Sequence, residues 1–271
     1  GGFKPRPYAS HIFVLEFDVT TSAPPTFPPI CDYEGSPYRT AFWNDDRRYE
    51  DLVDRIALAQ VLPPEGRRIA EIGAGFGRLA DLYSGYDHVI LLDFSSSLLR
   101  EAQARWGQDQ RVSYVVANLY FLPLATGSVD TAATVRVLHH VKELPAALEE
   151  IARVVPPGGV YVAEYANKRN LKAIARWLLG RQADNPFDHT PYEFVALNID
   201  FHPDALEDLL SEVGLVIEDQ VAASMFRIAW LKRLFSPATL AFFDGLLQRP
   251  TAPLKLSPSI FLRARRVPSK P

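Results

Sequence analysis

Cysteine is almost absent from this chain: Cys31 is the only one in 271 residues. A single thiol excludes a disulfide within the chain and any cysteine-based zinc cluster, and no metal site is expected. It also fits a reducing compartment. Long apolar runs are missing as well, none approaching the ~18 residues that a membrane-spanning helix needs. Residues 1–7 lack the basic-then-apolar order of a signal peptide, so a cytoplasmic protein without stable membrane insertion is expected. Charge of one sign is not in excess either. The 29 Lys and Arg stand against 32 Asp and Glu, for a net charge of −3, which argues against general nucleic-acid binding. What remains is an ordinary globular composition, 48% hydrophobic and 23% charged, large enough for one big domain with insertions.

The most informative segment is Ile69-Ala70-Glu71-Ile72-Gly73-Ala74-Gly75-Phe76-Gly77, followed by Val89-Ile90-Leu91-Leu92-Asp93. A short apolar run ends in a glycine-rich turn and leads into a helical stretch. A second apolar run then closes on a carboxylate. In an open parallel sheet this arrangement builds an adenosine-binding crevice: the glycines let backbone approach the ligand, and the acid accepts from ribose hydroxyls. Dinucleotide folds favour G-x-G-x-x-G, whose last glycine lets helix pack on strand. Here Arg78 stands where that glycine belongs, and its side chain opposes the contact. Glu71 ahead of the turn would repel a pyrophosphate but suits a ligand carrying an ammonium and a sulfonium. These features favour S-adenosylmethionine.

Further motifs follow in order: Val115-Val116-Ala117-Asn118-Leu119-Tyr120-Phe121-Leu122-Pro123-Leu124; Ser128-Val129-Asp130-Thr131-Ala132 through Val137-Leu138-His139-His140-Val141; and Leu148-Glu149-Glu150-Ile151-Ala152-Arg153-Val154-Val155-Pro156-Pro157-Gly158-Gly159. With these, residues 43–221 resemble the class I S-adenosylmethionine-dependent methyltransferases, above all the bacterial group that includes the ubiquinone and menaquinone C-methyltransferases. The resemblance implies an α/β fold: a doubly wound, mostly parallel seven-stranded sheet of Rossmann-like type, with helical or irregular lid insertions. It implies S-adenosylmethionine as cofactor and Glu71, Gly73, Ala74, Gly75, Phe76, Gly77, Asp93, Phe94, Asn118, Leu119, Val135 and Arg136 as the residues that hold it. The family usually has an aspartate where this chain has Asn118. An asparagine can still accept through its carbonyl oxygen and donate through its amide; the alternative is that it only caps a turn.

The organisation is uneven. Residues 1–42 read as an N-terminal extension with a strand at 11–19 and a proline-rich linker at 23–37, ahead of a methyltransferase domain at 43–271. Residues 47–62 have helical periodicity, with Leu52, Val53, Ile56, Ala57 and Val61 on one face, and Pro63-Pro64 ends the helix. From 67 to 165 strands and helices alternate, as in a parallel α/β sheet. Residues 167–181 read as an amphipathic helix with Leu171, Ile174, Ala175 and Leu178 inside and Lys168, Arg169, Lys172 and Arg176 outside. Residues 182–201 lack clear periodicity. A helix at 204–213, ended by Gly214, leads to a strand at 215–221. An irregular insertion at 225–256 then precedes a last strand at 259–266. The insertions at about 166–202 and 225–256 follow core strands, where ligands bind, and are the candidate acceptor lid.

A sulfonium methyl is already electrophilic, so the protein mainly aligns acceptor, methyl and sulfur and excludes water. An acceptor that must lose a proton needs a base. His139 and His140 follow the fourth strand at the crevice mouth, and either can serve; packing or cofactor contact is the alternative for each. Tyr165 is a further candidate, against an aromatic that closes the core. Tyr38, Phe42, Trp43 and Tyr49 either cover the cofactor or pack the N-terminal segment. Basic helix 168–181 and the run Trp230-Leu231-Lys232-Arg233-Leu234-Phe235 mix apolar and cationic residues, which suits an amphiphilic small-molecule acceptor or a solvated face. A cofactor-binding regulatory protein without turnover and an NAD(P)-dependent oxidoreductase remain the alternatives, the latter opposed by Arg78 and Glu71.

Overall fold

In the computed structural model, residues 28–268 are described, together with the backbone of 12–14. The chain runs β1 (Ile12–Val14), α1 (Arg48–Val61), β2 (Gly66–Ile72), β3 (Tyr86–Asp93), α2 (Ser96–Trp106), β4 (Val112–Val116), β5 (Thr131–Thr134), α3 (Leu144–Val154), β6 (Val160–Ala166) and α4 (Leu171–Leu178). It continues through β7 (Tyr192–Val195), β8 (Asn198–Asp200), α5 (Pro203–Glu212), β9 (Leu215–Ala223), α6 (Ala229–Leu234), α7 (Pro237–Thr251) and β10 (Ser259–Arg266). The main sheet has the order β1-β4-β3-β2-β5-β6-β10-β9. Only β10 is antiparallel to its neighbours. The seven-stranded, mostly parallel core therefore matches the expectation, and β1 adds an eighth, parallel strand beside β4 at the edge. The rest of the predicted strand at 11–19 lies outside the described residues, as does the linker before residue 28.

Parallel strands are covered on both faces, so their sequences alternate between two cores rather than between core and water. Ile69 and Leu91 join Val53, Leu58, Leu99 and Phe261 under α1 and α2. Ala70, Ile72 and Leu92 join Leu148, Ile151, Leu206 and Leu262 under α3 and α5. α1 buries Val53, Ala57 and Val61 as its periodicity predicts, and Leu62 turns extended ahead of Pro63. α5 opens on His202, whose Nδ1 accepts from the Asp204 amide, with Pro203 in its first turn.

Four expectations change. After the glycine turn there is no α-helix but one short 3₁₀ turn at Ala80–Tyr83, because the chain must reach β3 at Tyr86 within a few residues. α4 buries Ala173, while Leu171 and Leu178, expected inside, are 64% and 70% exposed. Lys168, expected outside, is buried and lies 3.2 Å from Asp184. The segments 182–201 and 225–256, read as irregular, hold the β7–β8 hairpin and the helices α6 and α7. α7 packs along α1, joined by Tyr49, which donates to the Asp244 carboxylate at 2.5 Å. Among the described residues no helix is long and apolar enough to cross a membrane.

Candidate functional site

The strand order reverses between β2 and β5, which opens a crevice at the carboxyl ends of the parallel strands. The glycine turn lies there. Gly73 has φ +78°, and a Cβ on it would come within 2.3 Å of Val137. Gly75 has φ +53°; a Cβ there would meet only Leu98, at 3.9 Å, and would stand in the cleft that Gly75 lines. Both positions suit backbone that must be approached closely by a ligand.

Asp93 ends β3 at the same mouth. Its two oxygens accept from the amides of Gly75 at 2.7 Å and Ser95 at 2.8 Å. Burial raises its pKa and these two amides oppose the rise. A carboxylate offers about four acceptor positions, so a vicinal diol can still donate to it. Phe94 lines the cleft beside it, as do Ala117 and Leu119 from the turn after β4.

The remaining expected cofactor residues divide. Arg136 lines the cleft through a left-handed backbone (φ 62°), its amide donating to Glu164 and its guanidinium to both oxygens of Asp54. Ala74, Phe76 and Val135 are buried behind the surface, and Gly77 packs against Trp106, whose indole donates to its carbonyl at 2.9 Å. The Asn118 side-chain oxygen accepts from the Tyr120 amide at 2.9 Å, closing a turn, and keeps a second lone pair beside its amide N–H groups. Glu71 is 3% exposed beneath the turn, and burial pushes its carboxyl up to about 8. A fixed negative charge there, used above against a pyrophosphate, is therefore largely neutralised at neutral pH. Arg78 turns toward α1 and Trp43. It is buried, contacts Asp51 at 2.6 Å and Asp54 at 3.0 Å, and stacks 3.9 Å over Trp43.

Of the three candidate bases, only His140 lines the cleft. Its Nδ1 lies 2.6 Å from the Leu197 carbonyl, which can only accept, so Nδ1 carries a proton and donates. Nε2 faces the Tyr33 hydroxyl at 3.2 Å. Burial works against charge on this ring, but interaction with the Cys31 thiol and the Leu197 carbonyl outweighs it and raises the pKa. His139 sits against His140, with ring centroids 3.9 Å apart. Burial, then the charges of His140, Arg136 and Arg227, hold its imidazole well below the ordinary range. Tyr165 does not line the cleft: it is buried in the core cluster beneath α3 and α5, with its hydroxyl unpartnered among the described residues. The neighbouring β6 side chain, Glu164, lies on the other face of the sheet and accepts from the Arg136 amide.

Sequence reasoning missed the segment 29–33: Pro29, Ile30, Cys31 and Tyr33 line the cleft beside the expected Tyr38. Glu34 fixes this strap to the start of α2 by accepting from the Ser95 and Ser96 hydroxyls and the Ser97 amide. Nothing local in a proline-rich stretch signals such a partner. Of the four expected aromatics, Tyr38 reaches the cleft and stacks on Phe42, Trp43 lies under Arg78, and Tyr49 braces α7.

Comparison with known proteins agrees with this geometry. A methyltransferase-domain family model matches residues 70–163. The chain is 30% identical over 167 residues to a demethylmenaquinone methyltransferase of Clavibacter sepedonicus, covering 57% of this chain and 67% of that protein. It is 29% identical over 208 residues to a probable S-adenosylmethionine-dependent methyltransferase of Mycolicibacterium smegmatis, covering 76% and 72%. The fold is similar to that of an S-adenosylmethionine-dependent methyltransferase from Mesorhizobium loti, with a TM-score of 0.55, 22% identity, and coverage of 77% of this chain and 95% of that one. The glycine turn, the strand-end acid and the sheet order thus belong together, and the chain is a member of the class I S-adenosylmethionine-dependent methyltransferases.

Proposed function

We propose that this enzyme binds S-adenosylmethionine along the ends of β2, β3 and β4 and passes its methyl group to a small-molecule acceptor beside His140. The observation that carries this reading is that Gly73, Gly75, Asp93, Leu119 and His140 line one cleft. Asp93 takes the ribose hydroxyls, the glycine turn backs the methionine portion, and Ala117, Leu119 and the free amide of Asn118 flank the adenine. The bound cofactor supplies an electrophilic methyl on a sulfonium. The protein aligns the acceptor and removes a proton where the acceptor carries one.

His140 is suited to that second task. Leu197 fixes its tautomer so that the Nε2 lone pair faces the cleft. A hydroxyl or amine acceptor takes the place of the Tyr33 hydroxyl at Nε2 and gives up its proton there. The raised imidazole pKa makes it a stronger base than a free histidine. We place the insertions 166–202 and 225–256 around the acceptor, the first because Leu197 on it touches His140. Exposed Leu171, Leu178, Trp230 and Leu234 on these insertions favour an acceptor with an apolar part. A free thiol at Cys31 suits the cytoplasm.

The test is calorimetric titration with S-adenosylmethionine and S-adenosylhomocysteine, with NAD and NADP as controls. Micromolar binding of the first pair alone, lost in Asp93→Ala, is the expected result. Binding of a dinucleotide, or unchanged binding in Asp93→Ala, overturns the assignment.

A further inference from the structure

A second cavity, a groove of about 490 Å³, opens between residues 41–50 and the start of α6, and Arg47, Arg227 and Lys232 line it around Glu50. The Glu50 carboxylate is 3% exposed and is already satisfied: Lys232 Nζ donates to both of its oxygens at 3.0 Å. The two guanidiniums stand farther off, Arg227 at 3.7 Å and Arg47 at 3.9 Å, beyond hydrogen-bond distance. Among the described residues neither guanidinium donates a hydrogen bond. Asp46 is on the exposed rim, so the lining carries three cations against two carboxylates. One carboxylate thus serves three cations, and the side chains of Arg227 and Arg47, 42% and 30% exposed, keep N–H groups open to the groove. Burial and then the charges of Arg136 and Arg47 oppose the charge of Arg227, and Glu50 and Glu164 offset them only in part.

The groove adjoins the methyl-transfer cleft. Phe42, in its wall, stacks on Tyr38 at 5.3 Å, and Tyr38 lines that cleft. Arg136, which also lines the cleft, is close enough to Arg227 for the two charges to interact. Arg47 is held over the Phe42 ring at 4.5 Å, an arrangement that leaves the edge of its planar fork free for an anion.

We propose that Arg47 and Arg227 form an oxyanion site that holds a carboxylate or phosphate group of the methyl acceptor. The inference rests on the methyltransferase reading and adds the acceptor's chemical class: an acidic molecule whose anionic group sits in this groove while its accepting atom reaches His140. Two forks facing one groove suit the paired oxygens of such a group, which a lysine would bind only as a point charge.

The test is thermal unfolding with inorganic phosphate and, separately, acetate, at ionic strength held constant with chloride, with and without saturating S-adenosylhomocysteine. The wild-type protein, Arg47→Gln and Arg227→Gln are compared. A ligand that binds only the folded state raises the melting temperature, increasingly so as its concentration exceeds its Kd. The expected result is a rise with at least one oxyanion in the wild type, additive with that from S-adenosylhomocysteine and lost in both variants. No rise beyond chloride, a rise that survives both substitutions, or an oxyanion that displaces S-adenosylhomocysteine overturns the proposal. The S-adenosylhomocysteine response of each variant shows that it is folded. Loss of that response in the wild type would instead strike the cofactor assignment. Once an acceptor is in hand, Arg227→Gln should raise its KM at least tenfold with little change in kcat; free phosphate as the true occupant would leave KM unchanged.

Discussion

The two sides of the crevice are built differently. On the glycine-loop side the hydrogen bonds that shape the turn are made within one stretch: Gly75 reaches Asp93, Asp93 reaches Ser95, and Gly73 closes on the end of β3 through the Leu92 carbonyl. On the insertion side the partners come from far along the chain. His140 touches Tyr33 and Leu197, and Arg227 faces Glu50. The first side is a short motif read out by a strand, a turn and another strand. The second exists only when distant segments have been brought together, and one fold can therefore keep its cofactor site while its acceptor site varies.

The widest separation between the two sides should come from His140→Gln. If His140 is the base, kcat falls by about 10²–10⁴ while S-adenosylhomocysteine binding stays near wild type. An equal loss of binding would make the two sides one unit. For the wild type, kcat should rise as pH passes the raised imidazole pKa, above the ordinary 6.5, and level off beyond it.

Asp54 joins the two sides, holding Arg78 behind the glycine turn and Arg136 beside His139. Asp54→Asn removes the anion that Arg78 and Arg136 share, leaving Arg78 its pair with Asp51 and Arg136 its longer one with Glu164, and should cost about 1–3 kcal/mol in denaturant unfolding. A cost under ~1 kcal/mol would mean that the halves are braced independently.

Glu71 belongs to the glycine-loop side alone. Its folded-state pKa, about 8, lies above the ordinary 4.5, so the folded protein binds the extra proton and stability falls as pH rises through that window. The wild type should lose up to about 1.4 kcal/mol per pH unit relative to Glu71→Gln between these limits. Parallel stability curves for the two proteins would show that Glu71 ionises freely. The smallest effect is expected at Leu178, exposed on α4: Leu178→Ser should change stability by less than ~0.5 kcal/mol. A larger loss would reveal a surface that is covered in solution.

α4 shows where sequence reading stopped. Its periodicity defines an apolar face, Leu171, Ile174, Ala175 and Leu178, but periodicity says nothing about what lies opposite. The fold instead turns Ala173 inward and leaves Leu171 and Leu178 to solvent. Lys168 reads as one more surface cation until Asp184 and the Thr190 carbonyl close around its ammonium. In the same way Tyr165 was a fair candidate at the end of a crevice strand. The fold buries it in the core beneath α3 and α5, outside the residues that line the cleft.

By itself the sequence determined the alternation of strands and helices and the place of the crevice. Apolar runs of strand length, a glycine-rich turn and an acid at the next strand's end are local signals, set by sterics and by burial on both faces. Only the tertiary structure decided which histidine faces the cleft, that Cys31 and Tyr33 close over it, and that Arg47 and Arg227 share a groove. Those outcomes depend on contacts between residues far apart in the chain, whose free energy no short stretch of sequence carries.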